Sequence, residues 1–146
     1  MVINIEIGNV ADIATLSKEI PEFEQATTPT RLNSKLNGVV KRILVAKVDA
    51  VPVGFKVGYQ LTEDTFYSWL GGVVPEYRKS GIATLLLNDQ EQWARQSGYK
   101  RIKVKSMHRF PGMLNLLISN GYKSEGVEDN ADGSEIKIVF SKNLSL

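Results

Sequence analysis

Apolar and polar positions alternate at the start of the chain. Ile3, Ile5 and Ile7 stand against Asn4 and Glu6, which predicts a strand. The period then changes: Val10, Ile13, Leu16 and Ile20 recur at helical spacing behind Asn9, a good cap, and Pro21 ends the run. Residues 21–38 hold neither period for long, and only a short helix from Thr30 to Asn37 is expected, with Gly38 as its stop. Three strands follow at 42–48, 53–61 and 65–74, joined by turns at Asp49–Pro52 and Thr62–Asp64, so they form an antiparallel meander. In the second, Val53, Phe55, Val57, Tyr59 and Leu61 share one face, and Lys56, Gly58 and Gln60 the other. The longest helix runs from Ser80 to Ser97, with a stripe of Ile82, Leu85, Leu86, Asp89 and Trp93 and a stop at Gly98. A strand at 101–107, a helix from Pro111 to Asn120 and two closing strands (122–129 and 135–142) around a turn at 130–133 complete the order β-α-(α)-β-β-β-α-β-α-β-β. That order predicts a single α/β (α+β) domain with a mixed, mostly antiparallel sheet.

Composition narrows the chemistry. The 146 residues suit one core, 42% are hydrophobic and 23% charged, and the net charge of +2 admits an anionic ligand without calling for nucleic acid. The absence of cysteine excludes disulfides, thiolate catalysis and cysteine-ligated metal, and one histidine, His108, argues against a histidine zinc site, so no metal is expected. No basic region precedes a long apolar stretch at the N-terminus, and no apolar run approaches the ~20 residues that span a bilayer, so the expected location is cytoplasmic.

One stretch stands out: VVPEYRKSGIATLLL, residues 73–87, where a strand becomes a helix through two cations, a serine and a glycine. It reads either as an ordinary helix start with solvated cations or as a seat for phosphate. Unpaired N–H groups and partial positive charge at a helix N-terminus, with a glycine allowing close approach, favour an anion such as pyrophosphate. Gly71-Gly72 in the strand before it suggests a bulge that opens a slot beside that seat.

Val73-x-Pro75-x-x-Arg78-x-x-Gly81-x-Ala83 resembles the acetyl-CoA signature of the GNAT superfamily of N-acetyltransferases, and the element order matches that fold from residue 2 to about 142. The resemblance implies a twisted sheet with helices on both faces and acetyl-CoA as co-substrate. It implies that N–H groups of Lys79, Gly81, Ala83 and Thr84 hold the CoA pyrophosphate, with Arg78 opening the loop. Val73 would pair with the pantetheine arm, and the N–H of Gly71 would polarise the acetyl carbonyl. The reaction would be direct attack of an amine in a ternary complex. Acyl-CoA sensing without catalysis, or a different phosphate-binding module, are the rival readings.

Two usual residues are missing. Leu117 stands where the family often has a tyrosine acid, four residues before Gly121-Tyr122, and Phe110 replaces a common asparagine. Water could protonate the leaving thiolate; His108 is a candidate substitute donor, or simply a polar residue at a strand end. The base positions on the third strand of the meander are Tyr67, which could relay a proton through water, and Trp69, which either shapes the acceptor pocket or is simply core. The remaining candidates for the base are Glu22 and Glu24 in the irregular loop, which are also expected at that pocket, and Glu63 and Asp64 in a turn; each reads otherwise as a solvated carboxylate. Lys100, Arg101, Lys103 and Lys105 form either a polar strand face or a basic stripe for an anionic acceptor, and Phe110–Met113 either line the acceptor mouth or are an ordinary helix start. The expected partner is a small-molecule or peptide amine. Neither a membrane nor nucleic acid is expected, and a homodimer is left open.

Overall fold

A computed structural model describes residues 2–23, 27–129 and 136–145. In chain order the elements are β1 (Ile3–Ile7), α1 (Val10–Ser17), α2 (Pro29–Leu36), β2 (Lys41–Val48), β3 (Val51–Gln60), β4 (Thr65–Val73), α3 (Ile82–Gln96), β5 (Arg101–Ser106), α4 (Pro111–Ser119), β6 (Lys123–Glu128) and β7 (Lys137–Asn143). Among the described residues the strands form one seven-stranded sheet, ordered β1-β2-β3-β4-β5-β7-β6. Every neighbouring pair is antiparallel except β4 and β5. The predicted mixed, mostly antiparallel sheet is therefore the one observed. The turn expected at 130–133 lies outside the described residues. Among those residues no helix is long and apolar enough to cross a membrane.

Helices cover both faces. Phe55 of β3 packs on Phe23, which follows α1, with ring centroids 5.6 Å apart. A Cβ on the adjacent Gly54 would lie 3.4 Å from Ile82 of α3, on the opposite face. One core cluster gathers Ile13, Leu32, Leu44 and Phe55, and a second gathers Phe66, Leu87, Ile102 and Leu117.

Helix boundaries follow local chemistry. Asn9 caps α1 reciprocally: its side chain accepts from the Asp12 N–H at 2.9 Å, and Asp12 accepts from the Asn9 N–H at 2.9 Å. The α-helix closes at Ser17 rather than Ile20, and the last residues tighten into three-residue turns, Ile20 N–H donating to the Ser17 carbonyl. Pro21 disfavours helical backbone at the residue before it. α2 begins one residue early because Pro29 takes the first helical position behind the Thr28 cap.

α3 corrects the sequence reading twice. It starts at Ile82, leaving Ser80 and Gly81 outside the helix. Its buried residues are Ile82, Leu86, Leu87, Gln90, Glu91 and Ala94, while the predicted Leu85 is 42% exposed. Asp89, expected on the apolar stripe, instead pairs with Arg42 of β2 at 2.8 Å. The helix lies across β3 on the face that carries Gly54, Lys56 and Gly58, so that face is buried too. A Cβ on Gly58 would come within 2.4 Å of Phe66 and 2.8 Å of the Gln90 amide, so glycine is what admits α3 this close.

Candidate functional site

The site is organised by a parting of two strands. β4 and β5 pair only from Thr65–Ser68 against Arg101–Val104. Beyond that β5 stays with β7 and β4 with β3, so one edge of β4 is left open. The bulge sits upstream of the expected glycines: Val57 faces Leu70 but Gly58 faces Ser68, which leaves Trp69 as the extra residue. Gly72 serves close packing instead, since a Cβ there would lie 3.0 Å from Ile20. Val74 N–H donates to the Val53 carbonyl at 2.8 Å. By the two-residue alternation of a strand, Gly72 also faces β3, and the backbone groups of Gly71 and Val73 face the opened slot.

At the end of that edge the chain turns into α3 through a 3₁₀ turn at Pro75–Tyr77. Lys79 (φ 62°) and Gly81 (φ 86°) both have left-handed backbone, and Gly81 caps α3 with no side-chain hydrogen bond. Nothing lies within 4 Å of where a Gly81 Cβ would be. Among the described residues no acceptor takes the N–H groups of residues 79–84. Successive inward N–H groups at a bend and a bare helix start form an anion cradle. The Arg78 guanidinium is held at its border, donating from Nε to the Val73 carbonyl at 3.1 Å and from Nη2 to Glu22. The Ser80 hydroxyl donates to the Tyr77 carbonyl.

On the face of the sheet that carries α2, beside Trp69, lies a cavity of about 400 Å³. Tyr59, Tyr67 and Trp69 form its aromatic floor. Tyr59 meets the other two edge-on, at 5.4 and 5.9 Å. Arg31 and Lys35 of α2, Lys105 of β5 and Lys137 of β7 surround them, and no lining residue is acidic. The Tyr67 hydroxyl is pushed up to about 12, chiefly by burial and further by Tyr59 and Glu128. At neutral pH it is a hydrogen-bond donor, not a base.

The acetyltransferase (GNAT) family model matches residues 10–116, well over half of the chain. The chain belongs to the GNAT acetyltransferase family. Among solved structures, it is similar to the ribosomal-protein-S18-alanine N-acetyltransferase of Escherichia coli (TM-score 0.83, 13% identity, 99% of this chain and 96% of that one). It is similar to the PaiA N-acetyltransferase of Thermoplasma acidophilum, solved with coenzyme A (TM-score 0.76, 17% identity, 98% and 99% covered). YncA of Salmonella typhimurium, solved with acetyl-CoA, gives a TM-score of 0.75 at 15% identity, with 99% and 95% covered. At these identities the likeness concerns the fold. No curated protein matches the sequence.

The remaining expected residues scatter around this GNAT frame. Glu22 does not line the cavity but pairs with Arg78 at the cradle. Its slight burial works to raise its pKa, yet the Arg78 hydrogen bond and the Arg78 and Arg109 charges hold it below the ordinary value. Glu24 lies outside the described residues. His108 is exposed in the turn after β5 and is not among the cavity residues. Phe110 stacks under the Arg109 guanidinium at 4.6 Å, also away from the cavity lining. Glu63 is exposed in the β3–β4 turn, where Asp64 accepts from the hydroxyls of Thr62 and Thr65. The stripe on β5 is partly neutralised by β6, Arg101 by Glu125 at 3.2 Å and Lys105 by Glu128 at 2.9 Å. Leu117 is fully buried in the second core cluster.

Sequence reasoning missed Lys56. It is 6% exposed under α3, and its Nζ lies 3.5 Å from where a Gly71 Cβ would sit. Burial lowers its pKa to about 8 against the opposing pull of the Glu91 carboxylate. The signal was present: Gly54 and Gly58 flank it on its own strand face and let the helix close over it.

Proposed function

We propose that the chain is an N-acetyltransferase that moves an acetyl group from acetyl-CoA to a primary amine of a small molecule or peptide, by direct attack in a ternary complex. The observation that carries this is the coincidence of an opened β4 edge with an uncapped cradle whose N–H groups have no acceptor among the described residues. The N–H groups of Lys79, Gly81, Ala83 and Thr84 hold the pyrophosphate, and Arg78 borders it. Val73 offers its N–H to the pantetheine arm, its carbonyl being shared with Arg78. The N–H of Gly71 polarises the acetyl carbonyl. Acetyl-CoA supplies an activated acyl group. The amine nitrogen bonds to that carbonyl carbon, and the proton the amine loses balances the departing sulfur.

In this reading Lys56 delivers a proton to that sulfur in the absence of the tyrosine, a role supported by its reach to Gly71 from the covered face of the sheet. A donor titrating near 8 is matched to a thiol of reference value about 8.5. Exposed His108 is the second candidate. Tyr67 stays protonated and passes protons only through water.

Calorimetry with CoA and acetyl-CoA tests the cofactor half: no binding at micromolar levels defeats the reading. A thiol-release assay over an amine panel tests the rest. The buried Leu117 favours one alternative, a CoA-binding sensor without turnover, which binding with no thiol release on any amine would support.

A further inference from the structure

Four cations converge on the cavity beside Trp69, and no carboxylate lines it. Elsewhere Arg42, Lys47, Arg78, Arg101 and Lys142 each have a carboxylate within 4.0 Å, while Lys18, Lys41, Lys79 and Lys123 have none among the described residues. It is convergence on one cavity, and not lack of a partner, that sets these four apart. Four cations line the cavity, and among the described residues only Lys105 has such a partner, Glu128. Four positive charges less one negative leave +3 in this one place, against +2 for the whole chain. The cations are also spread around an aromatic floor, Lys35 Nζ 5.8 Å from the Tyr59 ring centre and Lys105 Nζ 5.6 Å from that of Tyr67.

Such a cavity selects its occupant in two ways. It attracts a carboxylate or phosphate, for which lysine and arginine provide charge-assisted hydrogen bonds. It also repels an ammonium, so a bound amine is shifted toward the neutral form that attacks a carbonyl. That second effect bears on a site where no carboxylate lines the cavity and Tyr67 cannot act as a base. A volume of about 400 Å³ is that of a small-molecule pocket.

Building on the acetyltransferase reading, we propose that the acceptor is a small amine that carries its own anionic group, a carboxylate or a phosphate. Arg31, Lys35, Lys105 and Lys137 hold that group, and the uncharged amine lies over Tyr67 and Trp69, on the stretch of β4 that leads to Gly71. The cationic rim takes the place of a side-chain base: the amine enters by giving one proton to solvent. It loses a second as the N–C bond forms and the C–S bond breaks, and that proton ends on the sulfur.

The test pairs charged amines with uncharged isosteres: an amino acid with its carboxamide, and a phosphorylated amino alcohol with the free amino alcohol, plus a polyamine. Binding to the CoA-loaded protein is read by calorimetry and turnover by thiol release. The anionic member of at least one pair should bind at least about tenfold more tightly than its isostere, the scale of one charge-assisted contact, and the polyamine should be the poorest. Which pair shows the effect distinguishes carboxylate from phosphate. The exposed pair Arg31→Gln and Lys35→Gln, combined, should erase the preference while CoA affinity stays within about twofold. Equal binding of isosteres, preferred binding of the polyamine, a preference that survives the double variant, or about tenfold better turnover of a peptide than of every small anionic amine each overturns the proposal. If CoA itself does not bind, the acetyltransferase reading fails, and the same pairs titrated into the free protein still decide whether the cavity prefers anionic amines.

Discussion

The molecule holds two anion-attracting regions built in opposite ways. The cradle before α3 is backbone: consecutive N–H groups, a left-handed Gly81, and one arginine already shared with a carbonyl and a carboxylate. The cavity beside Trp69 is side chain: cations from α2, β5 and β7 over aromatics from β3 and β4. The first is contiguous in the chain and indifferent to most side-chain identities. The second exists only after several separate elements meet. On the proposed reading, a family can keep its cofactor seat while its acceptor pocket changes freely, because substitutions at the cavity leave the cradle's backbone untouched.

The strongest challenge to that contrast comes from the core around the slot. Leu117→Ala should cost about 3 kcal/mol of stability, as for a fully buried leucine, while thiol release per folded molecule changes by less than about threefold. Chemical denaturation and the release assay on the same preparation measure both. A selective loss of turnover would mean that Leu117 contributes to the chemistry rather than only to the core.

Lys56 sharpens the contrast through pH. Its pKa is about 8 when folded and 10.5 when solvated, so between these values the unfolded chain holds more protons and stability rises with pH. The cost of burying the charge is fully present below about 8 and relieved by 10.5. Relative to Lys56→Met, the wild-type protein should gain about 3 kcal/mol across that window in urea unfolding. The neighbouring Glu91, Tyr122 and Lys142 are common to both proteins. A flat difference would mean that Lys56 is solvated. The same variant should lower thiol release and remove a limb near pH 8 from its profile; an unchanged profile would transfer the proton-donor role to His108 or water.

Gly81→Trp should weaken CoA binding about 100-fold, near 2.7 kcal/mol, by straining a left-handed position and filling the space above it. Unchanged affinity in a folded variant would disprove the cradle. The smallest effect concerns Glu22. Its pair with Arg78 is partly exposed, so Glu22→Gln should tighten CoA about twofold by removing a competing anion, a change within the ~1 kcal/mol range of surface pairs. Lost turnover at unchanged CoA affinity would instead place Glu22 at the acceptor.

The order of elements was legible because periods of two and of 3.6 residues record which faces are buried, and because Asn9, Pro21, Gly98 and Pro111 mark ends by local sterics and hydrogen bonding. The cradle was legible for the same reason: Val73 to Thr84 is one short stretch whose backbone geometry depends on its own residues. The bulge was misplaced by two residues because strand glycines signal close approach as well as irregularity, and here Gly72 makes room for Ile20. The buried face of α3 was misjudged because the helix crosses β3 over Gly54, Lys56 and Gly58, and that crossing selects Gln90 and Ala94 over Leu85.

By itself, then, the sequence determined the elements, their order, the strand-to-helix junction and the absence of cysteine chemistry, all matters of neighbours within a few residues. Only the tertiary structure decided that β4 parts from β5 after Ser68, that Lys56 is sealed beside Gly71, and that Arg31, Lys35, Lys105 and Lys137 ring one cavity. Those are distances between residues far apart in the chain, fixed by how the sheet twists and where the helices pack, and no local period encodes them.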